Sequence, residues 1–234
     1  MKTTVVLPTY NEAENLPVAV AGLFKLGIDG LTVLIIDDNS PDGTGSIADK
    51  LVAQNSERVS VIHREGKLGL GTAYRLGFQK AIEAGSDIVI QMDVDGSHDP
   101  NYLPKMLEAL KDSDVVIGSR YTPGGSVDPT WGWRRRVISW GANTYTRIIL
   151  GLKVRDTTSG YKCFRTEKLR LLPLAELGSQ GYVFQIEMAY VCQRAGFRYI
   201  EVPIVFAQRR VGKSKLSSGV IFEVFWRVWQ IRFK

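Results

Sequence analysis

Two aspartates one residue apart, in the stretch QMDVDGSHDP at residues 91–100, have the spacing that most directly indicates chemistry in this chain. They follow an apolar run, IVIQM, that is typical of a buried strand. Because poorly solvated carboxylates repel each other, a bound cation would stabilise Asp93 and Asp95, and Gly96 permits the turn that lets both reach it. Oxygen ligands without a His or Cys cluster favour Mg²⁺ or Mn²⁺, shared with substrate phosphates. The alternative is a solvated polar turn.

Polar residues also follow two earlier apolar runs. In IIDDNSPDGTG, Asp38 could accept hydrogen bonds from the N–H groups of a nucleobase, whereas Asp42 and Gly43 suit a helix cap. In PTYNE, Tyr10 could stack on a base and Glu12 could hold its polar edge. Glu12 would equally suit the first turn of a helix, where a negative charge is favourable. These residues therefore leave a nucleotide site and ordinary capping both open.

Basic residues form a second group, and they lie in segments with Gly, Ser and Pro: Arg120, Arg134–Arg136, Arg209, Arg210, Lys213 and Lys215. A site that handles several phosphates needs such cations, because the planar arginine side chain matches phosphate oxygens. Nucleic acid is the competing partner. The acidic strand ends would repel its backbone, however, and no RNA- or DNA-binding motif is present. We therefore expect no nucleic-acid partner.

The elements that would position these residues alternate along the first half of the chain. Strand patterns at 3–7, 31–36, 59–62, 87–92 and 114–118 are separated by helical patterns at 13–26, 43–55, 69–84 and 100–111. This alternation predicts an α/β fold with a Rossmann-like, mostly parallel central sheet flanked by helices. Ligands bind outside the carboxyl ends of such strands, so the polar motifs are expected to meet there.

The second half of the chain has a different pattern. Residues 121–136 are rich in Gly, Pro, aromatic and basic residues and indicate a loop, and VRDTTSGYKCFR at 154–165 indicates turns. Helical patterns follow at 138–150 and 182–195, with a strand at 199–206.

Composition sets broad limits on the class of protein. The chain has 234 residues, 44% hydrophobic and 23% charged, which is typical of one large globular domain. The net charge of +6 is a mild excess. Cys163 and Cys192 form no CxxC pattern, so neither a zinc site nor a disulfide framework is expected. Met1 and Lys2 lead into a strand pattern without a signal peptide, and no run of 18 apolar residues is present, so we expect a reduced cytoplasmic chain without a transmembrane span.

The segment at residues 217–234 predicts an amphipathic helix. From Val220 to Phe233 ten of fourteen residues are apolar, and a narrow polar stripe is formed by Glu223, Arg227, Gln230 and Lys234. Such a helix is roughly 20 Å long, shorter than the ~30 Å hydrocarbon layer of a bilayer. We expect it to lie at a membrane surface, with packing against the core or a partner protein as the alternative.

Taken in order, these motifs resemble those of the dolichol- or polyprenol-phosphate mannose synthases, inverting enzymes of glycosyltransferase family 2 with a GT-A fold. The resemblance runs from about residue 3 to 217 and rests on VVLPTYNEAENL, IIDDNSPDGTG, REGKLGLGTAYRLGF, MDVDGSHDP, IGSRY, VRDTTSGYKCFR and EVPIVF followed by RRVGKSK. It implies a GT-A catalytic domain over residues 1–216 and a membrane-interfacial helix over residues 217–234. It also implies metal-dependent transfer of mannose from GDP-mannose to a dolichol or polyprenyl phosphate at the cytoplasmic face of a membrane. Single displacement would give a β-linked product.

The resemblance further implies roles for individual residues. The donor GDP-mannose would be held by Pro8, Tyr10, Glu12, Asp38, Asp93, Asp95, Arg120, Arg209 and Lys215. The acceptor phosphate would contact Arg120, Arg134 and Ser214, and Mg²⁺ or Mn²⁺ would be bound by Asp93 and Asp95. Catalysis would depend on Asp95, Arg120, Arg134, Arg209 and Lys215. Some relatives have a Gln metal ligand where this chain has Ser97.

The expected chemistry needs no general base, because a lipid phosphate is already ionised at neutral pH. The protein must instead align two anions and offset their repulsion. We therefore expect Asp156 and Glu187 to position basic groups rather than to abstract a proton.

Two alternatives would use the same motifs. A UDP-glucose-dependent polyprenyl-phosphate glycosyltransferase would share the acid pair and the basic loop. A non-catalytic membrane-docking subunit would share the fold, although the complete acidic and basic sets argue against it. Since other relatives continue into transmembrane helices after the GKSK loop, a separate small membrane-anchoring subunit is a further expected partner.

Overall fold

The computed structural model describes residues 1–208 and 218–233, with side chains in the second range described from residue 224 onward. The strands are β1 (Thr3–Thr9), β2 (Leu31–Asp37), β3 (Val59–His63), β4 (Ile88–Gln91), β5 (Val115–Ser119), β6 (Ser126–Val127), β7 (Lys162–Arg165), β8 (Tyr199–Pro203) and β9 (Val205–Phe206). The α-helices are α1 (Asn15–Lys25), α2 (Thr44–Gln54), α3 (Leu70–Glu83), α4 (Leu103–Ala109), α5 (Trp133–Leu150), α6 (Thr166–Leu169), α7 (Gly181–Arg194) and α8 (Ser218–Phe233). Short 3₁₀ turns lie at Pro100–Tyr102, Leu110–Asp112 and Leu174–Glu176.

Seven strands form the central sheet in the order β3-β2-β1-β4-β7-β5-β8. All neighbouring pairs are parallel except those of β7, which runs antiparallel to both β4 and β5. A second, two-stranded sheet pairs β6 with β9. The predicted α/β fold with a mostly parallel central sheet is therefore confirmed.

Helices cover both faces of the sheet, as the continuous apolar strand patterns require. Successive residues of a strand point to opposite faces, so Val5 and Leu7 pack in the core on the α1 and α4 side, whereas Val6 packs on the α3 and α7 side. Helix α3 lies very close to β1. A Cβ atom at Gly77 would come within 2.3 Å of Val6, so this contact requires glycine.

Three predictions for the second half of the chain are wrong in detail. The loop expected at residues 121–136 contains β6, and α5 begins at Trp133, directly after Gly132. The turns expected at 154–165 contain β7, a strand of only four residues beside a polar segment. The single strand expected at 199–206 divides after Pro203, where the chain leaves β5 and pairs with β6 instead.

Helix α8 packs on the α7 face of the molecule. Val224, Val228 and Ile231 recur at helical spacing and are buried in the same core as α7. Phe225 stacks on Tyr145 of α5 with 4.2 Å between ring centroids. Within the ranges that the structure describes, no helix combines the length and apolar character needed to cross a bilayer.

Candidate active site

A cavity of about 400 Å³ opens at the carboxyl ends of β1, β2 and β4. Strand β1 ends at Thr9 and β2 at Asp37, and the residues after β4 turn across the same edge of the sheet. We call this the acidic cavity. Six of the residues predicted to bind the donor line it: Pro8, Tyr10, Glu12, Asp38, Asp93 and Asp95. The structure therefore brings these residues together, as the strand-end argument expected.

Two contacts hold Asp93 in place, one from Tyr74 of α3 and one within the loop after β4. The Tyr74 hydroxyl donates a hydrogen bond to Asp93 Oδ1 at 2.8 Å. Burial and the negative charge of Asp93 raise the pKa of Tyr74 well above its usual value, so this hydroxyl stays a donor. The backbone N–H of Asp93 donates to Nδ1 of His98 at 2.9 Å, and burial lowers the pKa of His98, which favours the neutral ring.

Asp95 is 5% exposed and is oriented by Ser97. Its Oδ1 accepts hydrogen bonds from the backbone N–H of Ser97 at 3.0 Å and from the Ser97 hydroxyl at 2.5 Å. Gly96 makes the turn between them with a φ of +82°, in the left-handed region that favours glycine. Ser97 is buried and does not line the cavity. It contacts Asp95, so in the structure it positions this carboxylate.

The donor atoms of this pair fit a hard divalent cation. Asp93 and Asp95 line one cavity, and among the side chains described, those of residues 1–208 and 224–233, no third His, Cys, Asp or Glu completes a metal cluster. Mg²⁺ and Mn²⁺ are commonly held in this way, by one or two carboxylates with the remaining positions taken by water and substrate phosphate oxygens.

Two basic residues at the acidic cavity were not predicted from the sequence: Lys67 lines the cavity, and Arg64 contacts Asp38 of its wall. Arg64 forms an ion pair with Asp38 in which both side chains are buried. Arg64 also donates to Thr72 Oγ1 at 2.6 Å, so it fixes Asp38 at the cavity wall. Lys67 lies 4.3 Å from the ring centroid of Tyr10. Both belong to the motif REGKLGLGTA, whose charged residues were the available signal.

Glu12 and Asp42 stabilise the loops around the cavity. Glu12 accepts a hydrogen bond from the Asn15 amide at 2.7 Å, at the start of α1. Asp42 accepts hydrogen bonds from the Thr44 hydroxyl at 2.6 Å and from the backbone N–H groups of Thr44 at 3.0 Å and Ala13 at 3.1 Å. Burial acts to raise the pKa of Asp42, but these hydrogen bonds outweigh it and the pKa is lowered. The capping interpretation of Asp42 is therefore confirmed.

Arg120, at the end of β5, is buried and paired with Asp156. Its Nε and Nη2 donate to the two carboxylate oxygens of Asp156 at 2.8 and 2.6 Å, and Nη2 also donates to Thr158 Oγ1 at 2.6 Å. Burial alone would lower the pKa of Arg120, but the charge of Asp156 outweighs it and raises the pKa above its usual value. The guanidinium therefore remains charged and has a fixed direction. Asp156 does position a basic group, as predicted.

A second cavity, of about 380 Å³, adjoins the first. The two share four lining residues: Asp93, Thr158, Gly160 and Tyr182. The rest of its wall is mostly apolar and comes from α5, α8 and neighbouring segments: His98, Arg120, Trp131, Arg135, Ile138, Ser139, Gly141, Ala142, Tyr145, Phe206, Val224 and Phe225. We call it the apolar cavity. Arg120 and Asp93 lie in its wall, so a long apolar molecule in this cavity would place its polar end beside the acidic cavity.

The remaining predicted cations are placed differently. Arg134 is exposed, with its guanidinium 5.5 Å from the ring centroid of Trp133, and it lines neither of the two cavities. Its neighbour Arg135 lines the apolar cavity and lies 3.5 Å from the ring centroid of Trp131. Arg209, Ser214 and Lys215 lie outside the described residues.

Two further ionisable residues are buried, Lys162 of β7 and Glu187 of α7. Lys162 donates to the Ser159 carbonyl at 2.5 Å and to the Gln185 amide oxygen at 2.7 Å, and burial lowers its pKa to about 8. Its burial was not predicted from the sequence, because a lysine in a turn-like segment indicates exposure. Glu187 accepts a hydrogen bond from the backbone N–H of Ser179 at 3.0 Å.

Known proteins resemble this chain over nearly its whole length. Polyprenol monophosphomannose synthase of Mycolicibacterium smegmatis is 44% identical over 99% of this chain and 88% of its own length. Undecaprenyl-phosphate mannosyltransferase of Micrococcus luteus is 44% identical over 95% of this chain and 90% of its own length. The resemblance drawn from the sequence motifs is confirmed by these relatives.

Solved structures agree on the fold. Glucosyl-3-phosphoglycerate synthase of Mycobacterium tuberculosis, in complex with Mn²⁺, UDP-glucose and phosphoglyceric acid, superposes with a TM-score of 0.69. It is 19% identical and the match covers 99% of this chain and 80% of that one. The predicted GT-A fold is thereby confirmed. The family model for Glycosyl transferase family 2 matches residues 4–172, and the chain belongs to that family.

Proposed function

We propose that this protein transfers mannose from GDP-mannose to the phosphate of a polyprenyl lipid of the dolichol or undecaprenol type. The single observation that supports the proposal most directly is that two cavities with different linings adjoin each other. The acidic cavity suits a metal-bound nucleotide sugar, the apolar cavity suits a lipid, and both reach Asp93 and Thr158. The two relatives at 44% identity are named for mannosyl transfer to such lipids.

The donor would lie in the acidic cavity. The base would rest near Tyr10 and Asp38, and the diphosphate would lie at Asp93 and Asp95. A divalent ion, Mg²⁺ or Mn²⁺, would be held by the two aspartates and would offset the charge of the leaving nucleotide. The chain's own contribution is orientation, since Tyr74 fixes Asp93.

The acceptor would enter the apolar cavity with its phosphate towards Arg120. The charged phosphate oxygen is already a nucleophile, and the fixed guanidinium of Arg120 would hold it in line with the sugar carbon. Attack from the side opposite the nucleotide inverts the α-linked donor and gives a β-linked lipid phosphate. Arg135 is a further cation in the same wall. The proposed roles of Arg134, Arg209, Ser214 and Lys215 stay predictions.

A lipid acceptor implies contact with a membrane, and α8 carries an exposed apolar surface beside the apolar cavity. Its outward residues are Phe225, Trp226, Trp229 and Phe233, with exposed fractions of 52%, 65%, 43% and 80%. Helix α5 exposes Trp133, Val137, Trp140 and Ile148 at helical spacing. We propose that these two faces lie in the lipid headgroup region, where Trp is favoured and basic residues anchor the helix. Residues 1–216 would then be the catalytic domain and residues 217–234 a membrane-interfacial helix at the cytoplasmic face.

The test is transfer of radiolabelled mannose from GDP-mannose to a short polyprenyl phosphate, with Mn²⁺, with Mg²⁺ and with EDTA. We expect metal-dependent transfer and a β-linked product. An α-linked product or a covalent mannosyl-enzyme would reject single displacement. Preferential transfer from UDP-glucose in a parallel reaction would reject the donor, and absence of transfer from either donor would favour a non-catalytic docking subunit. Activity of the purified chain in detergent would remove the need for a membrane-anchoring subunit.

A further inference from the structure

The side chain of Asn143 joins helix α5 to the loop that holds Arg120. Asn143 is 3% exposed on the buried face of α5. Its Oδ1 accepts hydrogen bonds from the backbone N–H and the hydroxyl of Thr157 at 2.8 and 2.9 Å, and from the backbone N–H of Thr158 at 3.3 Å. Its Nδ2 donates to the Ser139 carbonyl at 2.9 Å and to Thr158 Oγ1 at 3.1 Å. One buried amide thus uses its oxygen and its donors to connect the helix to residues 157–158.

Thr158 carries this connection to Arg120. Its Oγ1 accepts a hydrogen bond from Nη2 of Arg120 at 2.6 Å, as well as the bond from Asn143. A hydroxyl oxygen has two acceptor lone pairs, so these two donors occupy both. Thr158 also lines both cavities. Helix α5 and the guanidinium are therefore joined through two consecutive hydrogen bonds.

We propose that Asn143 is a positioning residue for the transfer reaction. It keeps Arg120 at a fixed position relative to the wall of the apolar cavity. This inference rests on the proposed function. A lipid in that cavity would contact α5 through Ile138, Ala142 and Tyr145, whereas its phosphate would contact Arg120. If the helix and the guanidinium moved independently, the phosphate would no longer be aligned with the sugar carbon. Misplacement by about 1 Å costs roughly 100-fold in rate.

The first test compares Asn143→Leu with Thr146→Val. Thr146 is a matched control, because it lies on the same buried face of α5 and its hydroxyl is 2.7 Å from that of Thr157, but it makes no hydrogen bond to Thr158. We expect Asn143→Leu to lower kcat by about 30- to 100-fold, with the KM for the nucleotide sugar unchanged. Thr146→Val should lower the melting temperature and keep kcat within a few-fold. Activity losses that follow thermal stability in both variants would make Asn143 merely structural and would overturn the inference. If Asn143→Leu does not fold, Asn143→Ala takes its place.

A double-mutant cycle with Thr158→Val tests whether Asn143 affects activity through the Thr158 hydroxyl. Because Asn143 is proposed to act through the Thr158 hydroxyl, the double variant should lose little more activity than the more damaged single variant. Losses that multiply would show independent effects and would reject the route through Thr158.

A measurement without substrate separates this inference from the proposed function. The Nε–H of Arg120 is buried and donates to Asp156, so its hydrogen exchange in NMR spectra should be slow. We expect exchange at least about tenfold faster in Asn143→Leu and no change in Thr146→Val. Unchanged exchange in Asn143→Leu would overturn the inference even if transfer is observed. Faster exchange without any transfer in the wild type would support the coupling and reject the proposed function.

Discussion

The acidic cavity takes its carboxylates from the ends of neighbouring strands, whereas the apolar cavity is enclosed by two helices and loops from distant parts of the chain. In the acidic cavity each motif follows directly on the strand that positions it, as Asp93 and Asp95 follow β4. In the apolar cavity the wall forms only when α8 packs against α5 and α7. Polar chemistry is thus fixed by local sequence, while space for an apolar molecule is a product of tertiary packing.

The largest expected effect comes from removing one carboxylate of the acidic cavity. Asp95→Asn should lower mannosyl transfer by more than about 1000-fold, because a neutral amide neither attracts the divalent ion nor keeps its charge balance. Binding of GDP should lose its dependence on Mn²⁺, as measured by calorimetry, while the melting temperature stays within a few degrees of the wild type.

Asp99→Asn is the matched control for this prediction. Asp99 belongs to the same sequence motif but caps the following 3₁₀ turn through the backbone N–H of Asn101. It should retain metal-dependent GDP binding. Retained transfer in Asp95→Asn would refute the metal assignment and leave the solvated turn as the better interpretation.

The apolar cavity can be filled without touching the acidic one. A Cβ atom at Gly141 meets no described heavy atom within 4 Å, so Gly141→Leu adds its side chain to open space in the cavity. We expect kcat/KM for the polyprenyl phosphate to fall about 10- to 100-fold, because the added side chain takes the volume proposed for the first isoprene units. Leucine is also a better helix former than glycine, so stability should not fall.

Gly141→Ala is the control, since it adds one carbon and should lower acceptor use by only a few-fold. Manganese-dependent GDP binding should be the same in both variants. Equal loss of GDP binding and of acceptor use in Gly141→Leu would show that the two cavities are not separate sites.

The sequence predicted one cavity far better than the other for a physical reason. The strand-end rule places Pro8, Asp38 and Asp93 at one edge of the sheet once the strands are recognised. Even beside the acidic cavity, no comparable rule identifies the side chains of Lys162 and Arg64 as buried, because burial of a charge depends on partners that are distant in the chain. The start of α5, which contributes to the apolar cavity, was missed for a different reason: its residues expose Trp133 and Val137 beside three arginines and lack a core-facing pattern.

The exposed aromatic residues of α8 should contribute to membrane binding and not to the chemistry. We expect the double variant Trp226→Ser, Trp229→Ser to bind liposomes about tenfold more weakly in a sedimentation assay, because each indole is favoured in the headgroup region. Transfer to a short, detergent-solubilised acceptor should stay close to wild type. Leu171→Ser is the control, because Leu171 is 68% exposed outside the α5 and α8 faces. Unchanged liposome binding would favour α8 as a packing element or a docking surface for another protein.

The smallest expected effect concerns Lys162, whose amine contacts Gln185 in the wall of the acidic cavity. Its pKa is lowered from 10.5 to about 8 by burial, so below pH 8 the amine is protonated in both the folded and the unfolded chain. Between pH 8 and 10.5 the unfolded chain binds more protons than the folded one, so this residue's contribution to stability rises with pH. The slope is at most about 1.4 kcal/mol per pH unit. Lys162→Met should lack this rise.

Urea unfolding of the wild type and of Lys162→Met at several pH values would measure this rise with pH. The quantity compared is the difference in the free energy of unfolding between the two proteins. Burial raises the pKa of Cys163 and Cys192, which lowers stability at high pH, but both proteins share this effect and it largely cancels in the difference. The exposed Lys50→Met variant is the matched control for the loss of one lysine charge. If the difference for Lys162→Met is independent of pH, the pKa of Lys162 is the same in the folded and the unfolded chain, and burial does not destabilise its positive charge.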